Sequence, residues 1–248
     1  MSIFGNLKSD GLEETRDNLG GFAALESDAY TGTVKLAYAI KSGGGAQGIV
    51  VTVDFDGKDF TTTEWVTNKK GENWFLNKND QSKKVPLPGF TIIDDLCIVT
   101  TEKPLAEQAT EEKVVKIYDY EQKKDIPTNV PVLVDLIGKP VTFGILKQIE
   151  DKQKKDQSGN YVNTGETREV NVVDKVFHEP TKVTVPEVRN AVAAGTAPEA
   201  AFFSAWVERN KGKTKDRSKG AGEAGKTGKP GGAAPTPGGG ERKSLFGG

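Results

Sequence analysis

One cysteine, one histidine and one methionine in 248 residues close off much of the usual side-chain chemistry at the outset. Cys97 has no second cysteine, so an internal disulfide and a cysteine-based zinc framework are both excluded. A chain without disulfides suits a reducing compartment. His178 ends a strand-like run beside Glu179 and Pro180, and no serine or cysteine is placed to make a nucleophile with it. The acidic pairs Asp94-Asp95 and Glu111-Glu112 have neither a companion histidine nor a metal-ligand spacing. The expectation is a protein that is not an enzyme and needs no cofactor or metal. Long hydrophobic runs are missing too: no stretch approaches the roughly eighteen apolar residues of a membrane helix. The opening MSIFGNLKSDGLEETRDNLGG is polar and acidic, unlike a signal peptide. These absences describe a soluble protein of the cytoplasm.

The net charge of −1 conceals an asymmetry. Residues 211–248 carry nine Lys/Arg and three Asp/Glu, a net of +6, which leaves −7 on residues 1–210. This last stretch, KGKTKDRSKGAGEAGKTGKPGGAAPTPGGGERKSLFGG, has only Leu245 and Phe246 as large apolar residues. Such a composition cannot bury enough surface to offset chain entropy, so it reads as a disordered tail with an apolar tip. Within it, GAGEAGKT (220–227) matches the phosphate-loop pattern. That pattern needs a strand before it and a helix after it; here a Gly/Lys run precedes and a Gly/Pro run follows, so the match is accidental.

The remainder divides into an acidic lead-in (1–29), a β-rich body (30–180) and a pair of helices (181–210). TVKLAYAI alternates with Val34, Leu36, Tyr38 and Ile40 on one face, and GIVVTVDF with Ile49, Val51, Val53 and Phe55. Asp56-Gly57 between two strands is a strong hairpin signal. A two-residue loop there pairs Phe55 with Lys58, Val53 with Phe60 and Val51 with Thr62. Trp65, of opposite parity to Phe60, then points away from the core face. FTIIDDLCIVTT places Ile92, Ile93, Leu96 and Cys97 on a short helix period, with a strand as the alternative. KVVKIYDY, KPVTFGILKQI and TREVNVVDKVFH read as further strands, and DKQKKDQSGN between the last two as a polar loop. Thr184–Glu187 and Thr196–Glu199 read as two capping-box helix starts. In the second helix Phe202, Ala205, Trp206 and Arg209 form one packing stripe. The fold class expected is mainly β (α+β): an antiparallel, partly closed OB-like barrel of seven short strands, with a short inserted helix, C-terminal helices and the tail.

One stretch of the acidic body is basic. NKKGENWFLNKNDQSKKVPLPG (68–89) holds Lys69, Lys70, Lys78, Lys83 and Lys84 against Glu72 and Asp80 only, with Trp74 and Phe75 between them and Trp65 just before. Adjacent strand residues face opposite ways, so Trp74 and Phe75 cannot enter one core together. Lysines that track phosphates and flat rings on which bases stack are the two ingredients of sequence-tolerant single-strand binding. The competing reading is a lysine-capped hairpin whose rings pack on the body. Tyr118, Tyr120, Lys123, Lys124, Lys152, Lys154 and Lys155 are weaker candidates to extend a groove.

The motifs SIFGNLKSDGLEETRDNLGG, VTNKKGENWFLNK, KKVPLPGFTIIDDLC, REVNVVDKVFH and RKSLFGG, spread over nearly the whole chain, resemble the single-stranded-DNA-binding proteins of a group of lytic podoviruses. The resemblance implies a phage protein of the host cytoplasm that coats single-stranded DNA in replication and recombination. It also implies activation of the host RNA polymerase at late promoters through a basic C-terminal surface. Here Gly247-Gly248 stand where that family leads one to expect lysines, and Arg242 and Lys243 are the nearest basic residues. The tip Ser244–Gly247 echoes Ser2–Gly5, and Leu245-Phe246 on a tether suits an apolar pocket on a replication or recombination protein or the polymerase. The rival classes are a structural or assembly protein of a phage and a metal-dependent nuclease.

Overall fold

The computed structural model describes residues 24–119, 122–157 and 161–219. Its elements, in chain order, are β1 (Asp28–Lys41), β2 (Gln47–Phe55), β3 (Lys58–Trp65), β4 (Trp74–Leu76), β5 (Lys84–Pro86), α1 (Pro88–Thr101), β6 (Thr110–Asp119), β7 (Lys124–Leu133), β8 (Pro140–Lys155), β9 (Tyr161–Phe177), α2 (Val185–Ala194), α3 (Ala201–Asn210) and β10 (Thr214–Asp216). Eight strands make one sheet and β4 and β5 a second, small one. The mainly β, antiparallel class expected from the alternation is what forms. The hydrogen-bonded path runs β9–β8–β1–β2–β3, with β7 joined to β1 at Tyr38 and carrying β6. Among the described residues it does not close: β3 pairs only β2, and β9 only β8. Between these two edges lies a cleft of about 220 Å³ lined by Thr61–Glu64, Glu150, Arg168 and Val170–Val172.

The β2–β3 hairpin forms in the register read from Asp56-Gly57, with Phe55 opposite Lys58, Val53 opposite Phe60 and Val51 opposite Thr62. Both turn residues have positive φ (51° and 85°), the backbone of a type I′ turn that matches strand twist. Asp54 Oδ1 accepts from the Gly57 amide at 2.6 Å. Ile49, Val51 and Val53 enter the main core with Leu96, Cys97, Leu133, Leu136, Phe143 and Ile145.

In β1 the expected single apolar face is split. The register shifts between Val34 and Leu36, so Val34 joins the main core while Leu36, Tyr38 and Ile40 form a second apolar cluster with Val50, Val130 and Val132. A bulge turns the strand by one residue, which alternation alone does not reveal. The supposed polar loop at 151–160 is also corrected: β8 continues to Lys155 and β9 begins at Tyr161. Lysine is a poor strand former but is tolerated where both faces meet water. β7 was not anticipated, because KDIPTNVPVL carries two prolines that count against a strand. Among the described residues ten strands replace the seven expected, and β8 and β9, at 16 and 17 residues, are not short.

The helix alternative holds for residues 88–101, with Pro88 in the first turn and Ile92, Ile93, Leu96 and Cys97 buried. Thr184 and Glu187 make the expected capping box. The second expected start does not form. Gly195 ends α2 in the left-handed conformation, with the Thr196 amide donating to the Ala191 carbonyl, so Thr196 closes one helix instead of opening the next. The first turn of α3 is held from outside, the Phe202 amide donating to Glu187 Oε1 at 2.8 Å. Its inward residues are Phe203, Trp206 and Val207; Phe202 is 41% exposed. The expected stripe is right at Trp206, whose Nε1 donates to Asp174 Oδ2 at 2.8 Å, and wrong at Phe202, Ala205 and Arg209, which are exposed.

The tail boundary moves as well. Thr214–Asp216 pair in parallel with Lys147–Ile149 of β8, so residues 211–219 belong to the fold. Ser27, fully buried, donates its hydroxyl to the Lys213 carbonyl and accepts from the Lys147 amide. The rest of the tail lies outside the described residues, with the phosphate-loop look-alike. No helix among the described residues is long and apolar enough to cross a membrane.

α1 lies against the end of β3 at Gly89, where a Cβ would stand 2.5 Å from the Trp65 carbonyl oxygen. Gly89→Ala should therefore force helix and strand apart and destabilise the protein by about 1–3 kcal/mol, read as a lower urea midpoint. A chain ending at Lys211 loses β10 and leaves Ser27 short of a partner. It should melt about 3–10 °C below a chain ending at Lys219 in parallel thermal scans by circular dichroism.

Candidate nucleic-acid interface

Between β3 and α1 the chain makes one long excursion, residues 66–87, tied to β2 at its start and bonded back on itself at its end. The Val66 and Thr67 amides donate to the Gln47 carbonyl, and the Leu87 amide to that of Asn73. Within it, Asn68 closes a tight turn: its Oδ1 accepts from the Lys70 and Glu72 amides and its Nδ2 donates to Glu72 Oε2 at 2.8 Å. Local amide bonding of this kind is what asparagine brings to a turn. Lys69 and Lys70 stand exposed on it, the Lys69 stem lying beside Gly44 of the β1–β2 loop.

The small sheet separates the two adjacent rings. Trp74 pairs with Pro86, Phe75 with Val85 and Leu76 with Lys84. Trp74, Leu76, Lys84 and Pro86 therefore share one face, and Phe75 and Val85 the other. The first is the more exposed, outer face: Leu76, Lys84 and Pro86 are exposed and Trp74 is partly buried, as Phe75 and Val85 are on the other. Lys84 Nζ stands 4.0 Å from the Trp74 ring centroid, a cation–π pair. Lys78 and Lys83 are exposed on the connecting loop, and Lys83 pairs with Asp80 at 3.1 Å. Lys69, Lys70, Lys78 and Lys84 have no ion pair among the described residues, so their charge is uncompensated locally.

Trp65 points away from the main core, as its parity requires. It sits opposite Gly48 on β2, and a Cβ on Gly48 would meet its ring at 3.2 Å and Ile40 at 3.3 Å. The ring is half-buried over Gly48, beside Ile40. Thus Trp74, Lys84, Leu76 and Pro86 come together on one face, Lys69 and Lys70 stand on a separate turn, and Trp65 belongs to the large sheet. Tyr118 is 49% exposed near the end of β6, with Lys123 and Lys124 at the start of β7 exposed. Lys152 is tied to Glu166 at 2.9 Å. Tyr120, Arg242, Lys243, Leu245 and Phe246 lie outside the described residues.

Sequence reading missed Tyr161, because it treated the approach to that residue as a loop. Lys155 lies directly opposite it across β8 and β9, with Nζ 5.6 Å from the ring centroid. Cross-strand pairing is the signal that would have found it. Compared with known proteins, the chain matches no family model and no curated protein.

Three ionisable groups are shifted far by burial. The Cys97 thiol is pushed up to about 12, which leaves it an unreactive core residue. Burial, then the neighbouring Asp94, raises Asp95 to about 6, against the pull of Arg189 and Lys175. Glu64 shares the core-side parity of Phe60 and Thr62, reaches the cleft between β3 and β9, and is 5% exposed. Burial raises it from 4.5 to about 7, opposed by a hydrogen bond from Thr62 Oγ1 at 3.0 Å.

A carboxyl raised on folding keeps a proton that the unfolded chain has released, so its effect is to lower stability as pH climbs from about 4.5 to about 7. Glu64→Gln keeps the acceptor for Thr62 and removes the titration. The variant should be more stable than wild type at pH 8, by up to about 3 kcal/mol, and equal to it at pH 4. Denaturant melts across this range check both ends, and a wild-type profile unchanged by the substitution would contradict the assignment.

Proposed function

We propose that this chain binds single-stranded DNA with little sequence preference, as a non-enzymatic protein of DNA replication and recombination. The observation that carries the reading is the outer face of the β4–β5 hairpin. There an indole lies beneath a lysine, and three further lysines without ion pairs stand on the same excursion, in a body of net −7. Each stacked base contributes roughly 1–3 kcal/mol whatever its identity, and lysine contacts to phosphate are equally indifferent to sequence. A curled, incompletely closed antiparallel sheet is compatible with an OB-like architecture, which presents nucleic acid to a strand face and flanking loops. The replication partner or the host polymerase would be met through the C-terminal segment that holds Arg242, Lys243, Leu245 and Phe246.

Register puts the two adjacent rings on opposite faces; in this reading Trp74, beside Lys84, stacks, and Phe75, beside Val85, supports the hairpin. Binding of single-stranded, duplex and RNA oligonucleotides across a salt series tests the reading. Affinity should fall log-linearly with salt and be highest for single-stranded DNA. Trp74→Ala should cost roughly 1–3 kcal/mol of affinity with the salt slope intact. Exchanging Lys69 and Lys70 together for Ala should flatten the slope by up to about 0.7 for each phosphate these lysines neutralise. Phe75→Ala should lower the melting temperature instead. Quenching of tryptophan fluorescence by DNA should survive loss of Trp206, which is buried beneath α3. Affinity indifferent to salt would favour a structural protein, and magnesium-dependent cleavage a nuclease.

A further inference from the structure

β8 and β9 pair from Thr142 opposite Phe177 out to Lys155 opposite Tyr161, but the body holds on to this hairpin only part of the way. β1 pairs β8 along Pro140–Ile145, and β10 pairs it along Lys147–Ile149. The last tie is the Lys219 amide on Asp151 Oδ2 at 2.7 Å. Beyond it, among the described residues, Lys152–Lys155 and Tyr161–Glu166 have no strand neighbour but each other, and Lys152–Lys155 are exposed. The hairpin thus leaves the sheet as an arm. Its base is braced by polar side chains: Gln153 Nε2 donates to Asn163 Oδ1 at 3.2 Å, Asn163 Nδ2 to Asp151 Oδ2 at 2.9 Å, and Thr164 Oγ1 to the Lys152 carbonyl at 3.1 Å. The register also shifts between Asp151 and Gln153, where Thr164–Glu166 of β9 oppose Lys152 alone, and the two extra residues re-aim what lies beyond.

The far end of the arm repeats the chemistry of the β4–β5 hairpin. Tyr161 is 42% exposed, and Lys155 stands over its ring on the same face of the ribbon. Lys152 is neutralised by Glu166, whereas Lys155 has no ion pair among the described residues. A second exposed ring with an uncompensated cation above it, on a ribbon that carries none of the main core, is the combination of stacking surface and phosphate contact that a single strand requires.

We propose that the β8–β9 arm is a second single-strand contact, in which Tyr161 stacks on a base and Lys155 takes the adjacent phosphate. This rests on the chain being a single-strand binder, and one experiment separates the two statements. Full-length wild type, Tyr161→Ala, Tyr161→Phe, Lys155→Ala and Trp74→Ala are titrated against a labelled thirty-residue oligothymidylate at several salt concentrations, with thermal melts of each. Tyr161→Ala should bind about 5- to 150-fold more weakly, while Tyr161→Phe, which keeps the ring, binds as wild type. Lys155→Ala should lower the log–log salt slope by up to about 0.7. All three should melt as wild type, since the arm lies outside the core. If Tyr161→Ala binds as wild type while Trp74→Ala is weakened, the arm is not a contact and single-strand binding stands. If wild type fails to bind the oligonucleotide, single-strand binding falls and the arm with it.

Discussion

At Gly89 the first turn of α1 crosses the last residue of β3 with no room for a side chain, a Cβ there falling 2.8 Å from the Trp65 amide nitrogen as well as 2.5 Å from its carbonyl oxygen. Much of the remaining structure depends on this contact. It lays Ile92, Ile93, Leu96 and Cys97 into the core formed by β1, β2 and β8. It also brings the two ends of the 66–87 excursion to one place, so the entropy of closing a loop of that length is met by burial in the main core and not by the loop itself. The hairpin that carries Trp74 and Lys84 therefore needs little packing of its own, which leaves Leu76, Lys84 and Pro86 on one of its faces exposed.

The large sheet uses its two faces for different purposes. The inner face, with α1, is the main core; the other carries the cluster around Tyr38, Val50 and Val132. That second cluster is built by the β1 bulge, which sends Leu36, Tyr38 and Ile40 away from Val34. Trp65 lies on the same side, over Gly48 and beside Ile40. The chain through residue 210 is acidic, and an acidic body repels a polyanion everywhere except where lysines stand without counter-charges. Both hairpins proposed as contacts have that property.

The open edge between β3 and β9 places one more constraint on the molecule. Unpaired strand edges invite association, and here the two face each other across a cleft into which a buried glutamic acid projects. A carboxyl with a pKa near 7 in that position makes the seam sensitive to pH in the neutral range, without implying chemistry at the site.

Local signals in the chain determined a good deal. Asp56-Gly57 set a hairpin and its register because a two-residue loop permits only one pairing; Thr184 and Glu187 set a helix start; the 92, 93, 96, 97 spacing matched a buried helix face. Alternation marked Trp65 as pointing outward, and composition located the lysine-rich stretch. What the sequence left open were features made by residues far apart. The β1 bulge is stabilised by different neighbours on each side of it, so simple alternation misassigned Val34. The lysine-rich end of β8 is a strand only because β9 pairs with it, and Tyr161 gained its lysine in the same way. Residues 214–216 became a strand because β8 had a free edge and Ser27 a buried hydroxyl to satisfy. The choice between Trp74 and Phe75 was undecidable from spacing, since parity says that two neighbours differ but not which one faces water. The β4–β5 register puts Trp74 on the face of the exposed Leu76, Lys84 and Pro86, and a pairing of that kind is a property of the assembled fold.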